Sequence, residues 1–320
     1  MQSATTTGHS SRTDVIGIAM YLVAAFLFAL NGTLAKAALN AGLDPGHLTQ
    51  LRNGGAAVLL AIFVAFTNPK AFKIARHEFW FLVAYGVVAF TCVQFLYFLT
   101  ISRLPVGIGT LLAFIAPVVV ALYLKFFRST DVGSRIWIGI ALTLTGLALV
   151  AQVWQGLTLD LLGLVAGLLL AIALAVYWIL GEKGQKKRDA VSLTMWGFIF
   201  ASLAWAIVLP WWGFPSDVMF TYPEPLSGGI PTVPVWALMA WGIVMGTIIP
   251  FLLVLGSLRR IGAQRAGIVG STEPLWAGVI ALVVLGETLS PVQGIGALIV
   301  LIGIILAETS RRNVDPDHVA

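Results

Sequence analysis

The chain has 320 residues, 59% of them hydrophobic and 10% charged, with a mean hydropathy of +0.94, whereas a soluble globular chain carries about 25% charged residues. This composition excludes an ordinary soluble domain and defines an integral membrane protein. A net charge of +5 then records basic loops on one side of a bilayer and no nucleic-acid partner, and the single cysteine, Cys92, rules out a disulfide framework or thiolate metal site within the chain.

A polar tail, residues 1–13, precedes the first apolar run. Windows of about 19 apolar residues predict ten spans: 15–38, 48–66, 79–101, 105–127, 134–153, 160–181, 190–212, 235–257, 263–285 and 289–308. The small-residue stretch LAKAALNA at the end of the first run would also suit a signal peptidase. A full span's length and the repeat described next favour a retained helix. Between spans seven and eight, residues 213–234 hold five prolines and no lysine or arginine, the composition of an irregular external loop.

Sliding the chain on itself by 157 residues superimposes Arg103 on Arg260, Pro117 on Pro274, Gly139 on Gly296 and Gly146 on Gly303. A shift of 146 overlays the first and sixth spans, matching Asp14 to Asp160 and Gly17 to Gly163. The expected fold is therefore an all-α integral membrane protein of ten transmembrane helices in two five-helix repeats, 14–154 and 160–309, followed by a C-terminal tail, 310–320. Five spans per repeat is an odd number, so the second repeat is inverted. With both termini cytoplasmic, sixteen of the 19 basic residues fall on the cytoplasmic side, and only Lys36, Arg52 and Arg103 do not. The expected location is the plasma (inner) membrane.

The ten-span organisation, the segment STEPLWAGVIALVVLGETLS of span nine and the Gly-rich last span PVQGIGALIVLIGIILAE together resemble the EamA family of the drug/metabolite transporter (DMT) superfamily, over about residues 14–309. The resemblance implies export of small metabolites by alternating access, a pocket between spans one to four and six to nine, and peripheral fifth and tenth spans, in a monomer or homodimer. The first repeat departs from the family pattern, with Ala116-Pro117 where the second has Glu273-Pro274.

Glu273 is the one acid expected near the bilayer centre. A charge there costs about 2.5–3.5 kcal/mol on insertion scales, so such a residue faces a cavity or partner. Two readings stand: Glu273 exchanges a coupling proton or binds a substrate ammonium group, or it supplies a hydrogen bond to backbone freed by Pro274. Lys36 and Arg52 lie about five residues or fewer inside the outer boundary, where snorkelling is the simplest account; the alternatives are contacts to a substrate carboxylate or pairing with Asp44. Asn31, Thr91, Gln94, Thr110 and Thr247 are mid-span polar groups that can replace a cargo's hydration shell or link helices. Tyr97, Tyr177, Trp178, Trp241 and Trp276 lie deep enough to wall a pocket or to pack the core. Pro117, Pro250 and Pro274 are candidate kinks, either moving or static.

No HExxH, GxSxG or P-loop motif occurs, so neither an enzyme nor a cofactor is implied, and no continuous polar lining marks a channel. The expected function is secondary active transport of a small metabolite, an amino acid being the leading cargo and proton coupling an open option. An exchanger of drugs, nucleosides or phosphate esters and a passive channel are the alternatives. The scarcity of mid-span basic residues disfavours multiply charged phosphates, provided that Lys36 and Arg52 do not reach inward.

Overall fold

The computed structural model describes residues 7–128, 134–152, 159–224 and 232–310, and among them no β-strand occurs. The helices are α1 (Thr7–Asn40), α2 (Pro45–Thr67), α3 (Arg76–Tyr85), α4 (Val93–Arg103), α5 (Val106–Ala113), α6 (Ala116–Arg128), α7 (Ser134–Ala151), α8 (Leu161–Gln185), α9 (Ala190–Val208), α10 (Val235–Ile243), α11 (Ile249–Gly270), α12 (Glu273–Leu285) and α13 (Pro291–Ser310). Two π-helical turns, Gly86–Cys92 and Val244–Ile248, join α3 to α4 and α10 to α11. Six continuous stretches are long and apolar enough to cross a membrane: Asp14–Asn40, Pro45–Thr67, Arg76–Arg103, Leu161–Gln185, Ala190–Val208 and Val235–Val254. Shorter apolar helices cover Val106–Val120, Trp137–Ala151, Glu273–Leu285 and Pro291–Leu306. The protein is an all-α membrane protein.

Local sequence explains several helix starts. Asp44 precedes Pro45, and its carboxylate accepts from the backbone N–H groups of Gly46 and His47; Asp160 and Asp189 cap α8 and α9 in the same way, satisfying donors that have no partner inside the helix. Asp44 also meets the His47 ring. The suggested pairing of Asp44 with Lys36 or Arg52 is therefore corrected: its partners lie in its own first turn.

Pro274 follows an interruption of the helix: helical turns run to Gly270, Ser271-Thr272 form a turn, and Glu273 and Pro274 open α12. A first-turn proline removes no helical hydrogen bond, because that N–H has no intrahelical acceptor. Contacts with α1 trace the path on either side. Gly256 lies against Met20, and Gly17 against Arg260 and Ile261, whereas Gly270 lies against Tyr21 and Trp276 sits edge-on to Phe26. Fourteen residues of straight helix would part Gly256 from Gly270 by about 21 Å. The chain therefore descends α1 as far as Ile261 and ascends it from Gly270. Pro117 is likewise the second residue of α6, after a break at Phe114-Ile115; its side chain lies outside what the structure describes.

The tightest helix pair is α7 with α13. A Cβ on Gly296 would lie 2.8 Å from the Gly146 carbonyl oxygen and 2.8 Å from the Val150 nitrogen, both backbone atoms that cannot move aside. Gly294, on the same helix, has open space. Gly296→Ala is expected to destabilise the protein by about 1–3 kcal/mol through overpacking, whereas Gly294→Ala is expected to be neutral or slightly stabilising through better helix propensity. Thermal melts of the two variants in detergent check this.

Candidate functional site

The site begins with Pro250. In a regular helix its ring would press on the carbonyl four residues earlier, that of Gly246, and would leave that oxygen without a donor. The π-helical turn Val244–Ile248 ends just before it, widening the backbone as such turns do at functional positions. Pro250 thus stands just after a widened turn of span eight. The freed Gly246 carbonyl accepts from Arg52 Nη2 at 3.1 Å. Thr247 Oγ1 accepts from the same nitrogen at 2.5 Å and donates to the Gly242 carbonyl at 3.0 Å. Arg52 Nη1 donates to Asn31 Oδ1 on α1 at 2.7 Å, and the guanidinium carbon stands 5.1 Å from the centre of the Phe98 ring. Gly246 has to be a glycine because the Asn31 amide occupies the place of a side chain there.

Arg52 is only 5% exposed, so snorkelling is overturned for it. The reason is rotational: its side chain leaves α2 on the face turned to α1 and the π turn, where the opened backbone offers acceptors. Three of its N–H donors are engaged, which leaves two of the five that a guanidinium carries, and Nε is buried without an acceptor. Among the described residues no ion pair includes Arg52. The stated condition for disfavouring phosphates, that Arg52 not reach inward, is not met.

Lys36 does not snorkel either. Its amine donates to the carbonyls of Ile101 and Leu104 at the end of α4, the latter at 3.3 Å, within electrostatic reach of Glu287. Glu287, in the loop after α12, accepts from the Val106 N–H at 2.7 Å and so caps α5. Burial pushes the Glu287 carboxyl above its ordinary range, while the Val106 N–H and Lys36 pull the other way. Lys36 is thus a brace at the outer end, while Arg103 pairs in the open with Asp160 at 3.5 Å.

Glu273 is half-buried at the head of α12, where the helix dipole favours a negative charge; it forms no ion pair among the described residues. Tyr97 lies within electrostatic reach of both Arg52 and Glu273. Its hydroxyl is 3.4 Å from Thr110 Oγ1 and lies against Gly32, the residue after Asn31.

Of the expected residues, the fold therefore joins Asn31, Arg52 and Thr247, with Tyr97 and Thr110 alongside. Gln94 bonds instead to Asn53 at 2.9 Å. Tyr177 packs into an aromatic cluster with Tyr85 and Phe90, at 6.0 Å from each, apart from Arg52. Trp241 is half-buried, and Trp276 is 40% exposed beside Phe26; the side chain of Trp178 lies outside what the structure describes. A void of about 10 Å³ lies beside Thr247, lined by Leu60, Phe198 and Phe251 among others, so the space there is closed to any metabolite in this conformation. Sequence reasoning missed Asn53, Phe98 and Gly246. Their signals were the polar run Gln50-Leu51-Arg52-Asn53 and the four-residue spacing of Gly246 and Pro250.

A bundle of membrane-length helices around a buried cation with no ion-pair partner among the described residues is compatible with a membrane transporter. The chain belongs to the EamA-like transporter family, whose profile matches residues 15–152 and again 161–309. It is 26% identical to the threonine/homoserine exporter RhtA of Escherichia coli, over 88% of each chain. It is 25% identical to an uncharacterized inner membrane transporter, YicL, of Salmonella typhimurium, over 92% of this chain and 96% of that one, and 28% identical to an uncharacterized transporter of Archaeoglobus fulgidus, over 87% and 92%. The family and these relatives are membrane transporters, not enzymes. One solved crystal structure shares the fold at a TM-score of 0.56 and 18% identity, covering 93% of this chain and 96% of its own.

Proposed function

We propose that this protein is a secondary active exporter of small amino acids, with Arg52 holding the cargo carboxylate and Glu273 serving its ammonium group or a coupling proton. The observation that carries the reading is the buried Arg52, with donors to spare and no carboxylate partner among the described residues. An uncompensated buried cation is costly, and an anionic cargo supplies the missing partner. One guanidinium matches one carboxylate better than a doubly charged phosphate. The name of RhtA makes threonine and homoserine the first cargoes to try.

Alternating access between two inverted repeats is part of the proposal. In support, the offsets of 146 for the first two spans of each half and 157 for the rest carry contacts onto contacts. Gly17 against Ile261 becomes Gly163 against Leu104, and Gly55 against Ile243 becomes Ala201 against Gly86. Arg52 beside Thr247 becomes Phe198 beside Phe90, 4.2 Å apart. The helix breaks correspond, 114–115 with 271–272, and the second π turn falls on the first. The twofold match of the family profile points the same way, and the basic loops favour cytoplasmic termini.

The test is counterflow in proteoliposomes. Vesicles preloaded with unlabelled threonine or homoserine are expected to take up the labelled compound transiently and saturably. No exchange of either, nor of any other amino acid, overturns the reading.

A further inference from the structure

Beside the Arg52 node, the α2–α4 contact holds a second polar group that the transport reading leaves unused. Asn53, the residue after Arg52, is fully buried, and its Oδ1 accepts from Gln94 Nε2 at 2.9 Å. The other half of each amide is unmatched: Asn53 Nδ2, Gln94 Oε1 and the Thr91 hydroxyl, one helical turn from Gln94, are all buried without a hydrogen-bond partner. A donor and an acceptor thus stand unpaired at one contact, with an unpaired hydroxyl three residues before Gln94. Leaving such groups unmatched costs about 1–3 kcal/mol apiece, and native interiors rarely keep them so.

The other half of the molecule shows that packing does not require them. Under the same two offsets, Asn53, Thr91 and Gln94 correspond to Ile199, Ile248 and Phe251. Those three pack as half-buried apolar side chains around Phe90 and Phe198. The same contact therefore closes with hydrocarbon in one repeat and keeps unpaired amides in the other, and the amides adjoin Arg52, the one buried cation among the described residues.

We infer that Asn53, Gln94 and Thr91 form a specificity subsite that reads an uncharged hydroxyl or amide on the cargo's side chain while Arg52 holds its carboxylate. The subsite rests on the amino-acid reading above. A hydroxyl satisfies a donor and an acceptor together, whereas an alkyl group of the same shape leaves both buried and unmatched. Sites built to bond a polar group discriminate strongly against an isostere that lacks it.

Threonine and valine are such a pair, differing by a hydroxyl in place of a methyl. In proteoliposomes exchanging labelled threonine, valine is expected to compete at least about tenfold less well than unlabelled threonine. In the Asn53→Leu/Gln94→Met double variant, and in Gln94→Met alone, the preference is expected to shrink to within about twofold. Equal competition in the wild-type protein overturns the subsite, and that comparison needs no variant to fold. An undiminished preference in a folded variant overturns it too. Exchange of neither compound, nor of any other amino acid, removes the transport reading itself and this subsite with it.

Discussion

Arg52→Gln is expected to lower the rate of amino-acid counterflow by at least about thirtyfold, while leaving the thermal midpoint of the purified protein unchanged or higher. Losing a buried, hydrogen-bonded charge partner costs about 2–5 kcal/mol of binding, and each 1.4 kcal/mol is about a factor of ten. Stability should respond in the opposite sense. Arg52 is buried with no carboxylate partner among the described residues, so replacing it removes a desolvation penalty. If Arg52 were only a brace between α1, α2 and the π turn, the variant would melt at a lower temperature and whatever remained folded would still exchange. Arg52→Lys gives a third reading. Its charge survives, but one ammonium cannot bridge Asn31, Gly246 and Thr247 in the manner of a planar fork, so a partial loss is expected.

Glu273→Gln is expected to abolish accumulation driven by an imposed pH difference and to leave exchange at equal pH on both sides largely intact. Glutamine keeps the size and hydrogen-bonding capacity of the carboxylate but cannot titrate. The position at the head of α12 explains how an acid is held there with no ion-pair partner among the described residues: the exposed N–H groups of the first helical turn supply a compensating field. Loss of that charge should cost about 0.3–1 kcal/mol of stability, small enough for the variant to fold. Measuring labelled threonine in vesicles with an acid or neutral lumen decides the case. A variant that still responds fully to the pH difference removes Glu273 from coupling and leaves it as a helix-start residue.

The same two residues show how much of the site was legible beforehand. Glu273 stands out in the sequence because a carboxylate inside a long apolar run is rare and costly. What the sequence left open about its neighbour was the form of the interruption. Pro274 reads as a kink in a continuous helix, because hydropathy does not distinguish a proline in mid-helix from one that follows a two-residue break. Arg52 reads as an anchor at the membrane surface, because a window average records depth along the chain and says nothing about which way the side chain leaves the helix.

By itself the sequence determined the class of protein, the family, the approximate spans and the candidate repeat. The class, spans and candidate repeat follow from composition, hydropathy and spacing, and the family from the resemblance of the motifs in spans nine and ten, all properties of the chain read in order. Only the tertiary structure decided that Arg52 turns inward, that Gly246 offers it a carbonyl because Pro250 opened the turn, and that Asn53 and Gln94 face each other with half their hydrogen bonds unmade. Those facts depend on the rotation of each helix about its axis and on which backbone groups its neighbours leave unpaired. Packing sets both, and neither is written in the hydropathy of any one segment.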